Sequence, residues 1–326
     1  MRVEHAREID PAEWNALVGS DPAATFFARS EWVQLIASAA PGSSPLYLTA
    51  RDGGTLVAGL PAVGRSRLGL TVIESLPFGT YGGLVSAPGC PAEAGEGLLE
   101  LYGRMARRPR VAAAHLMDLR GIERDLTGFR VRDEGAQIVR LDRTFEEIWS
   151  GFKPSARNKI RKARKAGVRV RRASTEADFA AYHSMLEELS GRWRDPCAFD
   201  RDFFLKLSRL PGENVQMWLA ELDGEILGGD LDFVQNGWII NWGNVSRHAA
   251  LGYAPNNLLH AEAIERGIEE GCRVYDLGSS AGIRGVEAFK AAFGTERIPL
   301  RLLSAEKPWY RAARRVGRAL RGKGRP

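Results

Sequence analysis

The chain has no apolar run near the roughly 18 residues that a membrane-crossing helix needs, so no transmembrane segment is expected. Its first residues, Met1-Arg2-Val3-Glu4-His5, carry charge where a signal peptide needs an apolar stretch. Cysteine is scarce: Cys90, Cys197 and Cys272 lie far apart, without the paired spacing of a disulfide framework or a zinc site. A lone thiol such as Cys197 reads as incidental rather than nucleophilic. The five histidines show no metal-ligand spacing either, so no metal is expected. A reducing cytoplasmic compartment fits. What is present is ordinary for a globular protein, with 44% hydrophobic and 26% charged residues. The length of 326 residues suits two domains.

Acid is the most informative absence. Residues 153–172 contain ten Lys and Arg and no acid, and residues 307–326 contain eight and none. Without those 18, the rest of the chain holds 28 basic against 40 acidic side chains, so two short segments turn the whole to +6. Such concentration suits a polyanionic partner, or simply two solvated basic helices. In the first segment Ala156, Ile160 and Ala163 form a narrow apolar stripe, and Arg157, Arg161, Lys162, Arg164 and Lys165 cover the rest, with Gly167 as the helix stop. In the second, Trp309, Ala312, Ala313, Val316 and Leu320 share one helical face, and Arg311, Arg314, Arg315, Arg318 and Arg321 lie largely opposite. RNA phosphates or an anionic membrane surface would each suit such helices.

The chain also repeats itself. Leu46 to Pro61 reads as strand, Asp52-Gly53-Gly54 turn and strand, and Met217 to Gly229 reads as strand, Asp223-Gly224 turn and strand. A periodic helix (Leu98, Leu101, Tyr102, Met105) precedes a strand ending Asp118-Leu119. Its counterpart (Leu259, Ala263, Ile264, Ile268) precedes Tyr275-Asp276-Leu277. Helical patterns also open each copy: Trp14, Leu17, Val18 and Trp32, Leu35, Ile36 in one; Phe179, Tyr182, His183, Leu186 and Phe203, Phe204, Leu207 in the other. Two mixed α/β domains are expected, over residues 1–150 and 151–304, followed by a basic tail over 305–326. Residues 46–119 and 217–277 should share strand order and helix placement.

This arrangement resembles the GNAT superfamily, and its duplication resembles the Fem-type aminoacyltransferases and their BioF2-like acetyltransferase relatives. The segments that carry the likeness are Pro77-Phe78 through Tyr81-Gly82-Gly83, Lys153-Pro154-Ser155, Tyr275-Asp276-Leu277-Gly278 and Phe289-Lys290-Ala291-Ala292-Phe293-Gly294. The resemblance implies tandem GNAT-like domains, each a mixed, mostly antiparallel sheet flanked by helices. It also implies transfer of an activated acyl group to an amine. Two departures stand out. Trp32 is followed by Val33, Gln34, Leu35 and Ile36, without the acceptor-binding Lys of Fem-type enzymes, and no long helical hairpin is inserted.

The resemblance puts the Lys of the Phe-Lys pair at the acyl-donor end. Lys290 is accordingly the first candidate, as a cation facing the oxyanion of acyl transfer, with Phe289 beside it. Asp230 and Asp232 share one strand face, and Asp232 is the candidate to hold or deprotonate the attacking amine; a solvated strand face is the other reading. Arg192, Trp242 and Tyr81 are candidates for contacting substrate. The GNAT pyrophosphate loop, Gln/Arg-x-x-Gly-x-Gly/Ala, corresponds to Ala249-Ala250-Leu251-Gly252-Tyr253-Ala254, which keeps Gly252-x-Ala254 and lacks the leading Gln/Arg. With Asn256 and Asn257 this loop binds donor or merely caps a helix. The first domain has no such loop before Leu98, and is expected to serve the acceptor or support the fold. Three functions stay open: amino-acid transfer from aminoacyl-tRNA to an amine-bearing acceptor, CoA-dependent N-acylation, and non-catalytic binding of an anionic surface. No resident cofactor is expected, the donor being aminoacyl-tRNA or an acyl-CoA.

Overall fold

The structure is a computed structural model that describes residues 1–119, 126–193 and 197–322. Side chains of Trp193 and of residues 317–322, Arg318, Leu320 and Arg321 among them, lie outside that description. The chain begins β1 (Arg2–Ala6), α1 (Pro11–Ser20), α2 (Ser30–Ser38), β2 (Ser43–Asp52), β3 (Thr55–Arg67), β4 (Leu70–Ser75), β5 (Val85–Ser86), α3 (Ala92–Arg107) and β6 (Val111–Asp118). It continues β7 (Arg130–Arg140), α4 (Phe145–Gly151), α5 (Pro154–Lys165), β8 (Arg169–Arg172), α6 (Glu176–Trp193), α7 (Arg201–Leu207), β9 (Val215–Leu222), β10 (Glu225–Gln235) and β11 (Trp238–Ser246). Then come α8 (Pro255–Glu269), β12 (Val274–Ser279), α9 (Arg284–Lys290), β13 (Glu296–Glu306) and α10 (Pro308–Gly322).

Two compact units result: residues 1–134 with 299–326, and residues 135–298. Each has a mixed α/β fold with a mostly antiparallel sheet flanked by helices. In the first unit the strands run β1-β2-β3-β4-β6-β13, all neighbours antiparallel except the parallel pair β4–β6. In the second they run β8-β9-β10-β11-β12-β7, again with one parallel pair, β11–β12. Strand order and direction therefore repeat, as the internal similarity requires.

The sixth strands are exchanged. β7 follows the first unit's β6 in sequence but pairs with β12, and β13 follows the second unit's last helices but pairs with β6. The division consequently falls at Gly135 rather than near Gly151, and the chain returns to the first unit at Pro299. Ala305 and Glu306 belong to β13, opposite Ala114 and Ala113, so the tail helix starts only at Pro308.

Local chemistry explains the elements. Both hairpins close through two-residue turns with positive φ at both positions, Gly53 (54°) and Gly54 (94°), Asp223 (51°) and Gly224 (84°). Thr144 and Glu147 form a capping box at the start of α4. Val168 N–H donates to Ala163 O past the Gly167 stop of α5. In both units a glycine of the second hairpin strand lies against an aromatic ring, from α1 in the first unit and from α6 in the second. A Cβ on Gly59 would lie 2.5 Å from the Trp14 ring, and one on Gly229 would lie 2.8 Å from Tyr182 Cδ2. Both rings are buried, and the Trp14 indole donates to Ala28 O at 2.7 Å, so neither ring has room to retreat. Gly59→Ala and Gly229→Ala should each cost about 1–3 kcal/mol through overpacking. Gly64→Ala, whose Cβ meets nothing within 4 Å, should stay within about 0.5 kcal/mol of wild type in the same denaturant titrations.

Candidate active site

The second unit contains an opening between two strands. β11 and β12 pair for only three residues, Trp238↔Val274, Ile239↔Tyr275 and Ile240↔Asp276. Beyond that register β11 continues to Ser246 and β12 to Ser279 without pairing each other. The cause is local. Asp276 is fully buried and its Oδ1 accepts the Gly278 N–H at 2.6 Å, and Gly278 takes φ = 73°, which a side chain would resist. β12 bends there, and its pairing with β7 resumes only at Ser279↔Ala136. The first unit does not open in this way. β4 and β6 pair from Thr71 to Ser75, and Gly82 continues the parallel contact beside Asp118.

Lys290, the last residue of α9, sits at this opening. Its Nζ donates to Gly278 O at 3.1 Å and Ser279 O at 2.9 Å, the carbonyls released where β12 bends away. Burial lowers the Lys290 pKa to about 8, against the pull of Asp276. An ammonium has three N–H donors, so one remains to face a ligand. Phe289, half-buried, packs against Phe293 and His260, with centroids 5.5 Å away in each case.

A buried polar layer lies between the sheet and α8. A bulge at Trp242 shifts the register of β11, so Asn244 opposes Asp230 and Asn241 opposes Asp232. All four side chains thus share one face. Asn241 Nδ2 donates to Asp230 Oδ1 at 2.5 Å and to Asp232 Oδ1 at 2.9 Å, and Asn244 Nδ2 donates to Asp230 Oδ1 at 3.1 Å. The Tyr275 hydroxyl donates to Asp230 Oδ2 at 3.4 Å and lies 2.6 Å from His260 Nδ1. Burial, then the nearby Asp230, push the Asp232 carboxyl well above the usual carboxylate range. Burial also lowers His260, against Asp230 and with the help of Lys290. Arg266 of α8 closes the far end, its guanidinium 3.4 Å from the Trp218 ring centroid.

The expected site residues therefore separate. Lys290 and Phe289 stand together at the strand opening. Gly252 and Tyr253 are exposed before α8, Ala254 takes the left-handed conformation (φ = 56°), and α8 starts at Pro255 with no side-chain cap. Asn257 is buried in the first turn, and the buried Asn256 Oδ1 has no hydrogen-bond partner. Asp232, with 1% exposure, lies in the layer under α8, where burial favours the neutral form of its carboxyl. Trp242 points to the other face of the sheet, against Phe199, Phe203 and Phe233. Tyr81 is buried beside Phe27 in the first unit, and Arg192 is exposed in the last turn of α6. The sequence reading missed Asn241, Asn244, His260 and Arg266. The one available signal was these four polar or charged residues at otherwise apolar helical and strand positions.

The basic segments also divide. Arg164 pairs with Glu262 and Glu265 of α8, Arg157 donates to Ser150 O, and Arg161 lies over the Trp149 ring. Lys153, Lys159, Lys162 and Lys165 are exposed. Arg311 and Arg314 are held by Glu306, and Arg315 is exposed. Among the described residues no group of three or more His, Cys, Asp or Glu is placed to hold a metal, and no helix is long and apolar enough to cross a membrane.

Residues 150–291 match the family described as acetyltransferase (GNAT) domain. No curated protein matches the chain in sequence. Among solved structures, FemX superposes with a TM-score of 0.72 at 15% identity, over 95% of this chain and 99% of that one. The C-terminal domain of a putative lysylphosphatidylglycerol synthetase from Agrobacterium fabrum gives 0.62 at 12% identity, over 94% and 95%. A tandem GNAT protein from the clavulanic acid biosynthesis pathway gives 0.55 at 18%, over 94% and 98%. These likenesses establish a tandem GNAT fold along the whole chain.

The raised Asp232 has a consequence for stability. Its raised pKa keeps the carboxyl protonated to higher pH in the fold than in the unfolded chain, where it ionises above about pH 4. The folded state binds the extra proton, so this contribution is full at acid pH and is lost as pH rises toward the folded value. Asp232→Asn, which copies the neutral acid, should match wild type near pH 4 and gain a melting-temperature advantage that grows toward pH 9. A difference that is flat with pH would mean that Asp232 is ionised in the fold.

Proposed function

We propose that this chain, whose residues 150–291 match a GNAT domain, is a Fem-type acyltransferase, joining an amino acid from aminoacyl-tRNA to an amine on a peptide-like or small-molecule acceptor. The observation that carries acyl transfer is Lys290: a partly desolvated ammonium, anchored by two carbonyls at a strand opening, with one N–H to spare. In the reaction the acceptor nitrogen attacks the ester carbonyl carbon, and the C–N bond forms as negative charge collects on the carbonyl oxygen. Lys290 faces that oxygen. The C–O bond to the ribose then breaks, and the proton lost by the attacking amine passes to the departing ribose oxygen. Asp232 takes no part in the proton transfer. The layer under α8 holds His260 and with it the Phe289 ring that flanks Lys290.

Aminoacyl-tRNA is favoured as donor by the exposed lysines of α5 and by the loss of the leading Gln/Arg from the pyrophosphate loop. A second reading, CoA-dependent N-acylation, is favoured by one specific feature. The α8 N-terminus, uncapped by any side chain and preceded by Gly252-x-Ala254, offers the positive end of its helix dipole and the Asn256 N–H to a pyrophosphate. Transfer from charged tRNA should vanish on RNase treatment and weaken as salt rises. Micromolar acetyl-CoA binding with RNase-insensitive transfer would replace the first reading by the second.

Lys290→Ala should lower kcat by about 10²–10³, the range for a single oxyanion donor, while the acceptor KM changes little. Because the Lys290 pKa is lowered to about 8, kcat should fall as pH rises through that value. Lys290→Arg should move this alkaline limb upward, since guanidinium stays charged. A wild-type profile without an alkaline limb, or an unaffected Ala variant, would leave Lys290 as a backbone anchor only.

A further inference from the structure

α10 is mounted on the first unit the wrong way round for an ordinary surface helix. Amphipathic helices normally bury their apolar stripe and turn charge to water. Here the side facing the protein is largely polar. Lys307 Nζ donates to Arg107 O at 3.4 Å, and Arg311 Nη2 donates to Glu306 O at 3.1 Å. Arg314 pairs with Glu306, and Tyr310 packs on Val72, Ala112 and Ala113. Positions 307, 310, 311 and 314 form one stripe of the helix. The opposite stripe, centred roughly 160° away at 3.6 residues per turn, is Trp309, Ala312, Ala313 and Val316. All four are exposed, Trp309 at 48% and Val316 at 60%.

We propose that α10 lays this outward stripe on an anionic lipid surface, as a peripheral membrane contact for the whole chain. Two features select that occupant. Residues 307–326 carry eight cations and no acid, which draws the helix to negatively charged headgroups and repels a second copy of itself. The stripe between those cations is apolar and led by a tryptophan, a side chain that settles at the headgroup boundary. RNA would satisfy the cations but leave Trp309 and Val316 in water. A lipid interface takes up both. The docking chemistry is supplied by Glu306 and Tyr310, which fix the helix with its apolar side outward; in the reverse orientation the stripe would be lost to the core.

The test is sedimentation of the full chain with vesicles of phosphatidylcholine alone and of phosphatidylcholine mixed with phosphatidylglycerol, at low and high salt. Binding is expected only to the mixed vesicles, and to weaken with salt. The Trp309→Ser/Val316→Ser double variant keeps every charge and should bind about tenfold more weakly. Its RNA affinity should not change. Both side chains are exposed, so its melting temperature should match wild type; if it does not fold, Val316→Ser alone should still weaken vesicle binding. No binding to the mixed vesicles would overturn the proposal, as would equal binding of variant and wild type. So would an RNA affinity that falls in the double variant, because the stripe would then be contacting nucleic acid.

Discussion

When two parallel strands part, the backbone groups between them lose their partners, and each buried carbonyl left without one costs about 1–3 kcal/mol. That debt arises in the second unit where Asp276 and Gly278 bend β12 away from β11. Lys290 meets it by donating to Gly278 O and Ser279 O. The backbone demand and the proposed chemistry are therefore not alternatives. An ammonium at the opening satisfies the carbonyls, and one so placed keeps a donor for the proposed acyl group. The first unit shows the converse. Gly82 stays beside Asp118, the parallel contact continues, and no lysine occupies the corresponding place.

The buried layer under α8 supports the same arrangement. Buried polar groups are costly unless connected, and Asn241 connects two carboxyls that would otherwise face each other as charges. A carboxyl at Asp232 shifted toward its neutral form makes that juxtaposition tolerable. The chain of contacts runs on through Tyr275 and His260 to Phe289, so the ring beside Lys290 rests on a network rather than on apolar packing alone.

What could be read from the sequence was whatever is encoded locally. The glycine-bearing turns, the helical periodicities and their repetition fixed both copies, and the Phe-Lys segment drew attention to residues 289 and 290. The strand exchange was invisible because the pairing of β7 with β12 and of β13 with β6 joins segments more than a hundred residues apart. The division at Gly135 was missed for that reason. Strict alternation puts Asn241 and Asn244 on opposite faces; only the bulge at Trp242 brings them together, and nothing local announces a bulge. The same shift sends Trp242 to the aromatic cluster of Phe199 and Phe203 and away from the acidic pair.

Two segments of similar composition end in opposite uses. α5 turns Ala156, Ile160 and Ala163 into the core, each at most 1% exposed, and spends Arg164 on Glu262 and Glu265 to bind itself to α8. α10 faces its cations Arg311 and Arg314 inward on Glu306 and leaves its apolar stripe outside. A count of charges treats these helices alike. The difference lies in what the neighbouring surface offers: α8 presents carboxylates at the edge of an apolar groove, whereas the end of β13 presents one carboxylate beside a small patch built from Val72, Ala112 and Ala113. Among the described residues, Tyr310 is the side chain of α10 that packs on that patch. The helix consequently docks by its polar side, and the apolar side is left for something other than the protein's own core.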